Sequence, residues 1–206
     1  MELHFMSELL SDELRAMRDS AKDFAEREIA PTVEKDEKEH RFRPEIVRKM
    51  AELGFFGCVI PEEYGGMGLE DGFLASCVIT EEIARVSPSY GLPFNLQMMA
   101  PALTILKFGN EAQKKRYIPD FVSAKKFGCF AITEPNSGSD VASMRTYAKR
   151  DGDYYVLNGQ KTWISGIPVA DAGLVYAYTD KEAKHRGLSA FIVDLKEIKG
   201  VTMIPI

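Results

Sequence analysis

The stretch FAITEPNSGSD, residues 130–140, marks the point where the sequence changes from helical to strand-like patterns. Before it, apolar residues recur every few positions, which is the spacing of a buried helix face. After it, short apolar runs are separated by Asp-Gly and Asn-Gly turn signals. Helices followed by strands favour two segregated units over alternating βαβ units. We therefore predict an α+β fold, with an all-α helical domain at 1–125 followed by an antiparallel β domain at 126–206.

Helix start and stop signals divide the first domain. Ser11 is a predicted N-cap, and Pro31 is predicted to end the helix that follows it. Pro44 stands in the first turn of the next helix, and Gly54 follows its end. Asn110 predicts a further N-cap. The predicted helices cover 11–31, 43–54, about 70–87, 93–108 and 110–124, and the Gly- and Pro-rich segment 55–72 is predicted to be a loop.

Turn signals and short apolar runs define the second domain. Asp-Gly at 151–152 and Asn-Gly at 158–159 lie between strand-like segments, and Asn-Gly is the strongest short hairpin signal. The chain stops at Ile206, which would leave its last predicted strand as an uncovered edge, so we expect the polypeptide to be incomplete. The predicted strands fall within 128–133, 146–165, 173–180, 187–195 and 200–206.

Composition and charge argue against several classes of function. The 206 residues contain 26 Lys and Arg against 31 Asp and Glu, a formal net charge of −5 without a basic stripe, so nucleic-acid binding is not expected. No apolar run approaches the roughly 20 residues needed to cross a bilayer. The N-terminus has the pattern of neither a secretory signal nor a transit peptide. We expect a soluble, cytoplasmic protein.

Cysteine and histidine positions predict no metal site. The three cysteines are far apart and follow no CxxC spacing, and the three histidines add no zinc constellation. We expect the thiols to be buried and reduced. The residues concerned are Cys58, Cys77, Cys129, His4, His40 and His185.

The polar loop that follows the first predicted strand has the residues of an anion site. Backbone N–H groups around Gly138 and Ser139 form a concavity suited to a phosphate, and Ser139 adds a hydroxyl. Asp140 is predicted to cap the following segment or to accept loop N–H groups. Thr133 presents a hydroxyl at the strand end. Composition alone still favours a plain surface turn, and Trp163 taken alone is more typical of an aromatic core residue.

The segment AITEPNSGSDVAS, residues 131–143, resembles the signature of the acyl-CoA dehydrogenase family of flavoproteins. The segments IPEEYGGMGL, TEEIAR, FGNEAQKKRYIP, LNGQKTWISG and RGLSAFIV also resemble family segments, in the family's order, and together they span nearly the whole chain. The resemblance is to the short-chain and glutaryl-type branch, over the N-terminal and middle domains only. It implies the same order of helical and β domains, with the family's C-terminal helical domain absent from this chain.

The resemblance implies that FAD is the cofactor. Thr133 would hydrogen-bond the isoalloxazine ring and stabilise the negative charge that grows there as hydride arrives. Gly138 and Ser139 would contact the pyrophosphate, and Ser139 would also contact the CoA part of the substrate. Trp163 would lie against the flavin. The implied FAD contacts are Phe130, Ala131, Ile132, Thr133, Gly138, Ser139, Trp163, Ile164 and Ser165.

The resemblance also implies the reaction. Family members remove two hydrogens from the α and β carbons of an acyl-CoA thioester, with a carboxylate as the base that takes the α proton. In the family this base is a glutamate of the C-terminal domain, and no Asp or Glu of this chain matches it. We therefore name no catalytic residue and expect the chain alone to be inactive or nearly so. Electron-transfer flavoprotein is the implied electron acceptor, and a homotetramer is the implied assembly at full length.

One helix bears on the choice of acyl group. The segment 87–105 is similar to the helix that lines the acyl pocket in relatives, and relatives that act on glutaryl-CoA carry an arginine there, just after a Tyr. This sequence has Gly91 after Tyr90. A carboxylate buried without its cation would be costly, so a short, branched or alicyclic monocarboxylic acyl group is predicted. The apolar side chains expected to line the pocket are Leu92, Phe94, Met98 and Met99.

Two other functions remain open at this point. A protein with this fold but without the base could be a non-catalytic acyl-CoA or flavin-binding module, or an interaction subunit. It could also be a relative such as an acyl-CoA oxidase or a nitroalkane oxidase, in which the flavin site is similar and the electron acceptor or substrate differs.

Overall fold

The computed structural model of the chain describes residues 10–204. These residues divide into two compact units, with the division between Lys125 and Lys126. The first unit is helical, and the second contains a five-stranded sheet within residues 126–204. The predicted order, a helical region followed by a sheet, is confirmed.

The helices of the first unit begin where the capping signals predict. The Ser11 side chain accepts a hydrogen bond from the Leu14 N–H at 3.3 Å. Asn110 and Gln113 form a capping box, in which each side chain accepts from the other residue's backbone N–H. The helices are α1 (Asp12–Phe24), α2 (Ala30–Lys38), α3 (Pro44–Glu52), α4 (Gly72–Val86), α5 (Pro88–Gln97), α6 (Leu103–Phe108) and α7 (Glu111–Val122).

The prediction that Pro31 ends the first helix is wrong. A π-helical turn, Ala25–Ile29, carries the chain from α1 into α2, and Pro31 lies in the first turn of α2. A proline is tolerated there because its missing N–H would have no regular helical partner after the irregular turn. A second π-helical turn, Met98–Ala102, joins α5 to α6. The helix predicted at 93–108 also begins earlier, at Pro88.

Aromatic side chains occupy the core of the helical unit. Phe56 and Phe94 are fully buried, and their rings stack with centroids 5.5 Å apart. The predicted loop between α3 and α4 is confirmed, since it contains only short 3₁₀ turns, at Phe55–Gly57 and Glu62–Tyr64. Both turns bury aromatic side chains, so this loop is part of the packed core.

The sheet of the second unit is mixed. Its strands are β1 (Gly128–Ala131), β2 (Tyr147–Asp151), β3 (Tyr154–Asn158), β4 (Ala172–Tyr178) and β5 (Leu188–Asp194). β4 pairs antiparallel with β5 along its whole length, and β2 pairs antiparallel with β3. However, β4 pairs in parallel with β1 and, through one residue, with β2, so the prediction of a purely antiparallel domain is too simple. Parallel pairing needs a long connection, and the segment between β1 and β4, which contains the β2–β3 hairpin, supplies it.

The tight hairpin turn lies at Asp-Gly and not at Asn-Gly. Asp151 pairs with Tyr154, so Gly152 and Asp153 form a two-residue loop, in which Gly152 has a φ of 59°. The Asn-Gly pair at 158–159 instead ends β3, and no further strand follows it directly. Both dipeptides contain residues that favour tight turns, but only Asp151-Gly152 lies between two strands that pair with each other.

The last predicted strand is absent over the part that the structure describes. Residues 201–204 have no regular structure. Val201 and Ile204 are 43% and 74% exposed, so these apolar residues lack the burial that would hold a strand in the sheet. Residues 205–206, including the chain end on which we based the expectation of an incomplete polypeptide, lie outside the described residues.

The three thiols differ in their surroundings. Cys58 and Cys129 are buried as predicted, and burial raises their pKa values to about 11 and about 12, which keeps them protonated and unreactive. Cys77 is exposed, contrary to the prediction, because it lies on the outward face of α4 with Phe73. Within residues 10–204 no three His, Cys, Asp or Glu side chains are grouped to hold a metal ion, and His4 lies outside that range.

Candidate functional site

A closed turn follows β1 immediately after Thr133. The Glu134 N–H donates to the Ser137 carbonyl at 2.9 Å, and the Ser137 N–H donates back to the Glu134 carbonyl at 3.1 Å. Pro135 and Asn136 form the corner between them, where the fixed φ of proline suits the first turn position. The turn therefore gives Thr133 a defined place at the end of the strand.

Ser137 holds the rest of the polar loop. It is 4% exposed, and its hydroxyl donates to the Asp140 carbonyl at 2.9 Å. The Ser143 hydroxyl donates to the same carbonyl at 2.8 Å. The predicted capping role of the Asp140 carboxylate is wrong: the 3₁₀ turn Val141–Ser143 begins without a side-chain cap, and the Asp140 backbone carbonyl holds the loop instead.

The tip of the loop is open. Gly138 and Ser139 are both exposed. A Cβ built on Gly138 would have no atom within 4 Å, so no part of the described protein explains the absence of a side chain there. This space is what a backbone approached closely by a ligand requires.

A buried ion pair joins the turn to the segment that follows β3. Lys161 Nζ lies 2.8 Å from Glu134 Oε1, and the two side chains are 11% and 5% exposed. The same ammonium group donates to the Ile132 carbonyl at 3.0 Å. Glu134 also accepts the backbone N–H groups of Arg145, at 2.6 Å, and Thr146, at 3.0 Å.

These contacts set the ionisation of Glu134. Burial alone would raise the pKa of this carboxyl group. The hydrogen bonds from Lys161 and from the N–H groups of Arg145 and Thr146 outweigh burial and lower its pKa to about 2. Glu134 is therefore ionised at neutral pH, with its oxygens occupied as hydrogen-bond acceptors.

Trp163 stands beside Thr133. The N–H of Thr162 donates to the Thr133 carbonyl at 3.0 Å, which joins the two segments next to the indole. Trp163 is 71% exposed and has a φ of 57°, in the left-handed region that non-glycine residues seldom adopt. Ser165, two residues on, is half-buried. The alternative that Trp163 is a core residue is therefore wrong.

The other predicted contact residues lie deeper in the β unit. The rings of Phe130 and Tyr176 pack with their centroids 5.0 Å apart, and Ala131 is 5% exposed. Ile164 packs against a buried cluster that includes Cys129. The side chains of these residues support the strand and the loop, which leaves mainly their backbone to meet a ligand.

Sequence reasoning missed Glu134 and Lys161. They are 27 residues apart, and no periodicity relates them. The available signal was their position, since each lies one or two residues from a predicted contact, Thr133 or Trp163, and their charges are opposite.

The arrangement fits a flavin dinucleotide. The exposed indole offers a flat apolar surface, and neither the N–H nor the hydroxyl of Thr133 makes a hydrogen bond among residues 10–204. Free donors beside an aromatic face suit a polar ring system such as isoalloxazine, and the open backbone at Gly138 suits a phosphate. The residues that would hold FAD are Thr133, Gly138, Ser139 and Trp163.

The helix α5, predicted to line an acyl pocket, can be described within the helical unit alone. Phe94 and Met98 are fully buried in its core, while Leu92 is 52% exposed. A Cβ on Gly91 would lie 2.9 Å from the Ala84 Cβ, so glycine permits the close approach of α4 and α5. An arginine at 91 would not fit without a shift of these helices.

Comparison with known proteins gives the family. The sequence matches the model of the acyl-CoA dehydrogenase N-terminal domain over residues 11–125 and that of the acyl-CoA dehydrogenase middle domain over residues 129–206. The chain belongs to the acyl-CoA dehydrogenase family. The family resemblance carried by the loop and tryptophan motifs is thereby confirmed.

Three relatives of this family member illustrate the similarity. A glutaryl-CoA dehydrogenase of Desulfococcus multivorans is 47% identical over 93% of the chain and 50% of its own length. The short-chain specific acyl-CoA dehydrogenase of Sus scrofa mitochondria is 40% identical over 93% of the chain and 46% of its own length. A glutaryl-CoA dehydrogenase of Mycobacterium smegmatis solved with FADH2 superposes with a TM-score of 0.89 at 28% identity, over 98% of this chain and 50% of that one. The chain thus spans about half the length of the curated relatives it matches.

Helix length and hydropathy bear on membrane insertion. Among the helices of residues 10–204, none combines the length and apolar character needed to cross a bilayer.

Proposed function

We propose that the protein catalyses the FAD-dependent α,β-dehydrogenation of an acyl-CoA thioester to the 2-enoyl-CoA. The observation that carries the proposal is the exposed, left-handed Trp163, hydrogen-bonded through its neighbour to the Thr133 backbone. An exposed indole on a strained backbone has no role in packing the β unit, so a ligand is the better explanation. Membership of the family and the FADH2-bound relative support FAD as that ligand.

Each residue of the site has a part in this proposal. FAD, when bound, supplies the acceptor for the substrate's β hydride. The Thr133 hydroxyl and N–H donate to the ring and stabilise negative charge that develops on it. Trp163 covers one side of the ring and excludes water from it. Gly138 and Ser139 contact the pyrophosphate, and Ser139 also contacts the CoA part of the substrate.

Glu134 is unsuited to be the base that removes the α proton. A general base works best when its pKa lies near the working pH, and that of Glu134 is held at about 2. Its oxygens are also occupied by Lys161, Arg145 and Thr146. We therefore propose no catalytic base within residues 10–204, and we expect the 206 residues alone to be inactive or nearly so.

The proposed substrate carries a monocarboxylic acyl group that is short, branched or alicyclic. A relative with 47% identity is named a glutaryl-CoA dehydrogenase, which would favour a dicarboxylic substrate instead. Against this, Gly91 stands where a cation for the distal carboxylate is expected, and a side chain at this position would require α4 and α5 to move apart at Ala84. Comparing glutaryl-CoA with butyryl-CoA and isovaleryl-CoA as substrates decides between them.

The proposed partners follow from the family. We propose electron-transfer flavoprotein as the electron acceptor, a homotetramer as the full-length assembly and the cytoplasm as the location. An analytical ultracentrifugation run on the protein expressed from its complete coding sequence tests the assembly. Reduction of added electron-transfer flavoprotein during turnover tests the acceptor, and rapid oxidation of the reduced protein by oxygen would instead favour an acyl-CoA oxidase.

A non-catalytic acyl-CoA or flavin-binding module is the second candidate. It is favoured by one observation: Glu134, the carboxylate directly after Thr133, is held in an ion pair. The enzyme and a flavin-binding module both bind flavin, but only the enzyme transfers electrons from substrate to it.

One experiment tests the function and separates the candidates. The protein expressed from its complete coding sequence, with any tryptophan other than Trp163 replaced by phenylalanine, is mixed with FAD, and binding is followed by quenching of Trp163 emission. Acyl-CoA esters are then added without oxygen, and loss of the flavin's visible absorbance reports dehydrogenation. A protein that is colourless after excess FAD has been removed contradicts the enzyme and the flavin-binding module, whereas a coloured protein that no acyl-CoA bleaches supports the module.

A further inference from the structure

The buried ion pair described above touches both halves of the candidate site. Lys161 lies two residues before Trp163, and Glu134 directly follows Thr133. Their side chains are 2.8 Å apart and almost fully buried, and each makes further hydrogen bonds to backbone. A buried pair with complete hydrogen bonding holds its neighbours in one arrangement more firmly than an exposed pair does.

The hydrogen bond from Lys161 to Ile132 also fixes the direction of the Thr133 N–H. Residues 10–204 contain no cis peptide bond, and in a planar trans peptide the C=O and N–H groups point in opposite directions. Because the Ile132 carbonyl faces the Lys161 ammonium group, the Thr133 N–H of the same peptide faces away from it. In this direction the Thr133 N–H meets no hydrogen-bond acceptor among the described residues.

We propose, on the basis of the function proposed above, that Lys161 and Glu134 are positioning residues for the flavin. They hold the Thr133 N–H and Trp163 in their binding arrangement before FAD arrives, and their two charges tune the electron affinity of the bound ring in opposite directions. Neither residue touches the reacting atoms. They position the flavin through Thr133 and Trp163, and their charges act on it across space.

The charges make this role distinguishable from a structural one. We expect removal of the Lys161 charge to leave an uncompensated buried anion, because the N–H groups of Arg145 and Thr146 still donate to the Glu134 carboxylate. A nearby anion opposes the entry of electrons into the ring. Removing the Glu134 charge leaves a buried cation, which favours their entry. A pair that only stabilised the fold would give no such change of sign.

The first test needs no flavin. Trp163 is the sole tryptophan of the 206 residues, and any tryptophan elsewhere in the complete protein is replaced by phenylalanine. In the flavin-free protein, we expect Lys161→Met and Glu134→Gln each to lower the residual anisotropy of Trp163 emission, and Lys161→Arg to restore it. Lys196→Met is the control, since it breaks an exposed ion pair with Asp171 in the same unit and should change nothing. Wild-type anisotropy in Lys161→Met and Glu134→Gln would overturn the positioning role.

The second test uses the FAD-loaded protein. We expect the midpoint potential of the bound flavin to shift to more negative values in Lys161→Met and to more positive values in Glu134→Gln, with no shift in Lys196→Met. Shifts of one sign in both variants would overturn the tuning role. If Lys161→Met does not fold, Lys161→Arg should keep the wild-type potential, and the Glu134→Gln shift alone decides. A wild-type protein that takes up no FAD refutes the proposed function and the tuning role with it, and the anisotropy then shows only whether the pair orders Trp163.

Discussion

A buried ion pair lies in each of the two units, and a comparison of the two separates stability from function. In the helical unit, Arg43 Nε lies 2.7 Å from Asp36 Oδ2. In the β unit, the corresponding distance between Lys161 and Glu134 is 2.8 Å. All four side chains are less than 15% exposed. Since burying charges costs free energy, each pair depends on further hydrogen bonds.

The partners of the helical pair are structural. Asp36 accepts the Thr32 hydroxyl at 2.9 Å, and Arg43 donates to the Glu28 carbonyl at 3.2 Å. The N–H of Arg43 donates to the Tyr90 hydroxyl at 3.3 Å. The pair therefore joins α2 to the start of α3 and to α5. Burial raises the pKa of Asp36, but the Thr32 hydrogen bond and the Arg43 charge together lower it below its ordinary value.

The partners of the β pair belong to the proposed flavin site. Lys161 donates to the carbonyl of the peptide whose N–H belongs to Thr133, and the segment it anchors carries Trp163. The two pairs have the same chemistry and similar burial. What differs is the backbone each one holds, so loss of the first should affect stability alone and loss of the second both stability and ligand binding.

The largest expected effect comes from breaking each pair by removing its cation. Lys161→Met leaves Glu134 buried without its partner, which should lower the free energy of unfolding by about 3–5 kcal/mol and weaken FAD binding. Arg43→Met should also lower stability, while the molecules that remain folded bind FAD as the wild type does. Urea unfolding followed by circular dichroism measures the free energy of unfolding. Titration with FAD at pH 7 without urea measures the FAD affinity. Equal loss of FAD affinity in both variants would contradict the distinction between the pairs.

The pH dependence of stability sharpens the comparison. The pKa of Glu134 is about 2 in the folded protein against an ordinary 4.5, so its ionised form stabilises the fold above pH 4.5. This stability, on the order of 3 kcal/mol, is lost as the pH falls from 4.5 towards 2. Glu134→Gln should remove this part of the acid sensitivity and keep the part due to Asp36, whose pKa is lowered in the same direction. Unfolding midpoints in urea from pH 7 to pH 2.5 give the difference, and parallel curves for the two proteins would refute it.

Local signals predicted much of the helical unit. Ser11 and Asn110 start helices because their side chains satisfy backbone N–H groups within three residues, which a sequence displays directly. The prediction from Pro31 was wrong because whether a proline ends a helix depends here on the irregular turn before it. A π-helical turn is set by packing of the helices on either side and leaves no local pattern.

Long-range contacts account for what the sequence could not provide in the β unit. The parallel pairing of β1 with β4 and the contact between Glu134 and Lys161 join residues far apart in the chain. Composition alone favoured a surface turn for the loop and a core position for Trp163. The family resemblance instead assigned Trp163 and Thr133 to one site, and the hydrogen bond from the Thr162 N–H to the Thr133 carbonyl joins their two segments.

Two glycines of the β unit offer a second test, with smaller expected effects, of whether stability and FAD binding depend on different residues. A Cβ on Gly159 would lie 2.1 Å from Thr146 Oγ1 and 2.7 Å from its Cα, so Gly159→Ala should lower the free energy of unfolding by about 1–3 kcal/mol. A Cβ on Gly138 would meet nothing, so Gly138→Ala should change stability by less than about 0.5 kcal/mol. Because that Cβ would enter the space assigned to the pyrophosphate, FAD should bind more weakly to Gly138→Ala. Urea unfolding and FAD titration of both variants check this, and unchanged FAD affinity in Gly138→Ala would remove the loop tip from the site.

The last expected change in stability has the opposite sign. Trp163 holds a left-handed backbone that costs a non-glycine residue about 1–2 kcal/mol, and glycine there avoids this cost but loses about 0.5–1 kcal/mol through its greater freedom when unfolded. Trp163→Gly should therefore leave stability unchanged or raise it by up to about 1 kcal/mol, and it should greatly weaken FAD binding.

Lys184 provides the matched control for this last variant. It is also exposed and left-handed, with a φ of 53°, in the same unit. Lys184→Gly should give the same small change in urea unfolding and leave FAD affinity at the wild-type value. If Trp163→Gly is instead clearly less stable than Lys184→Gly, the indole itself stabilises the fold. Its backbone strain could then no longer be attributed to a ligand, and the observation that carries the proposed function would lose its force.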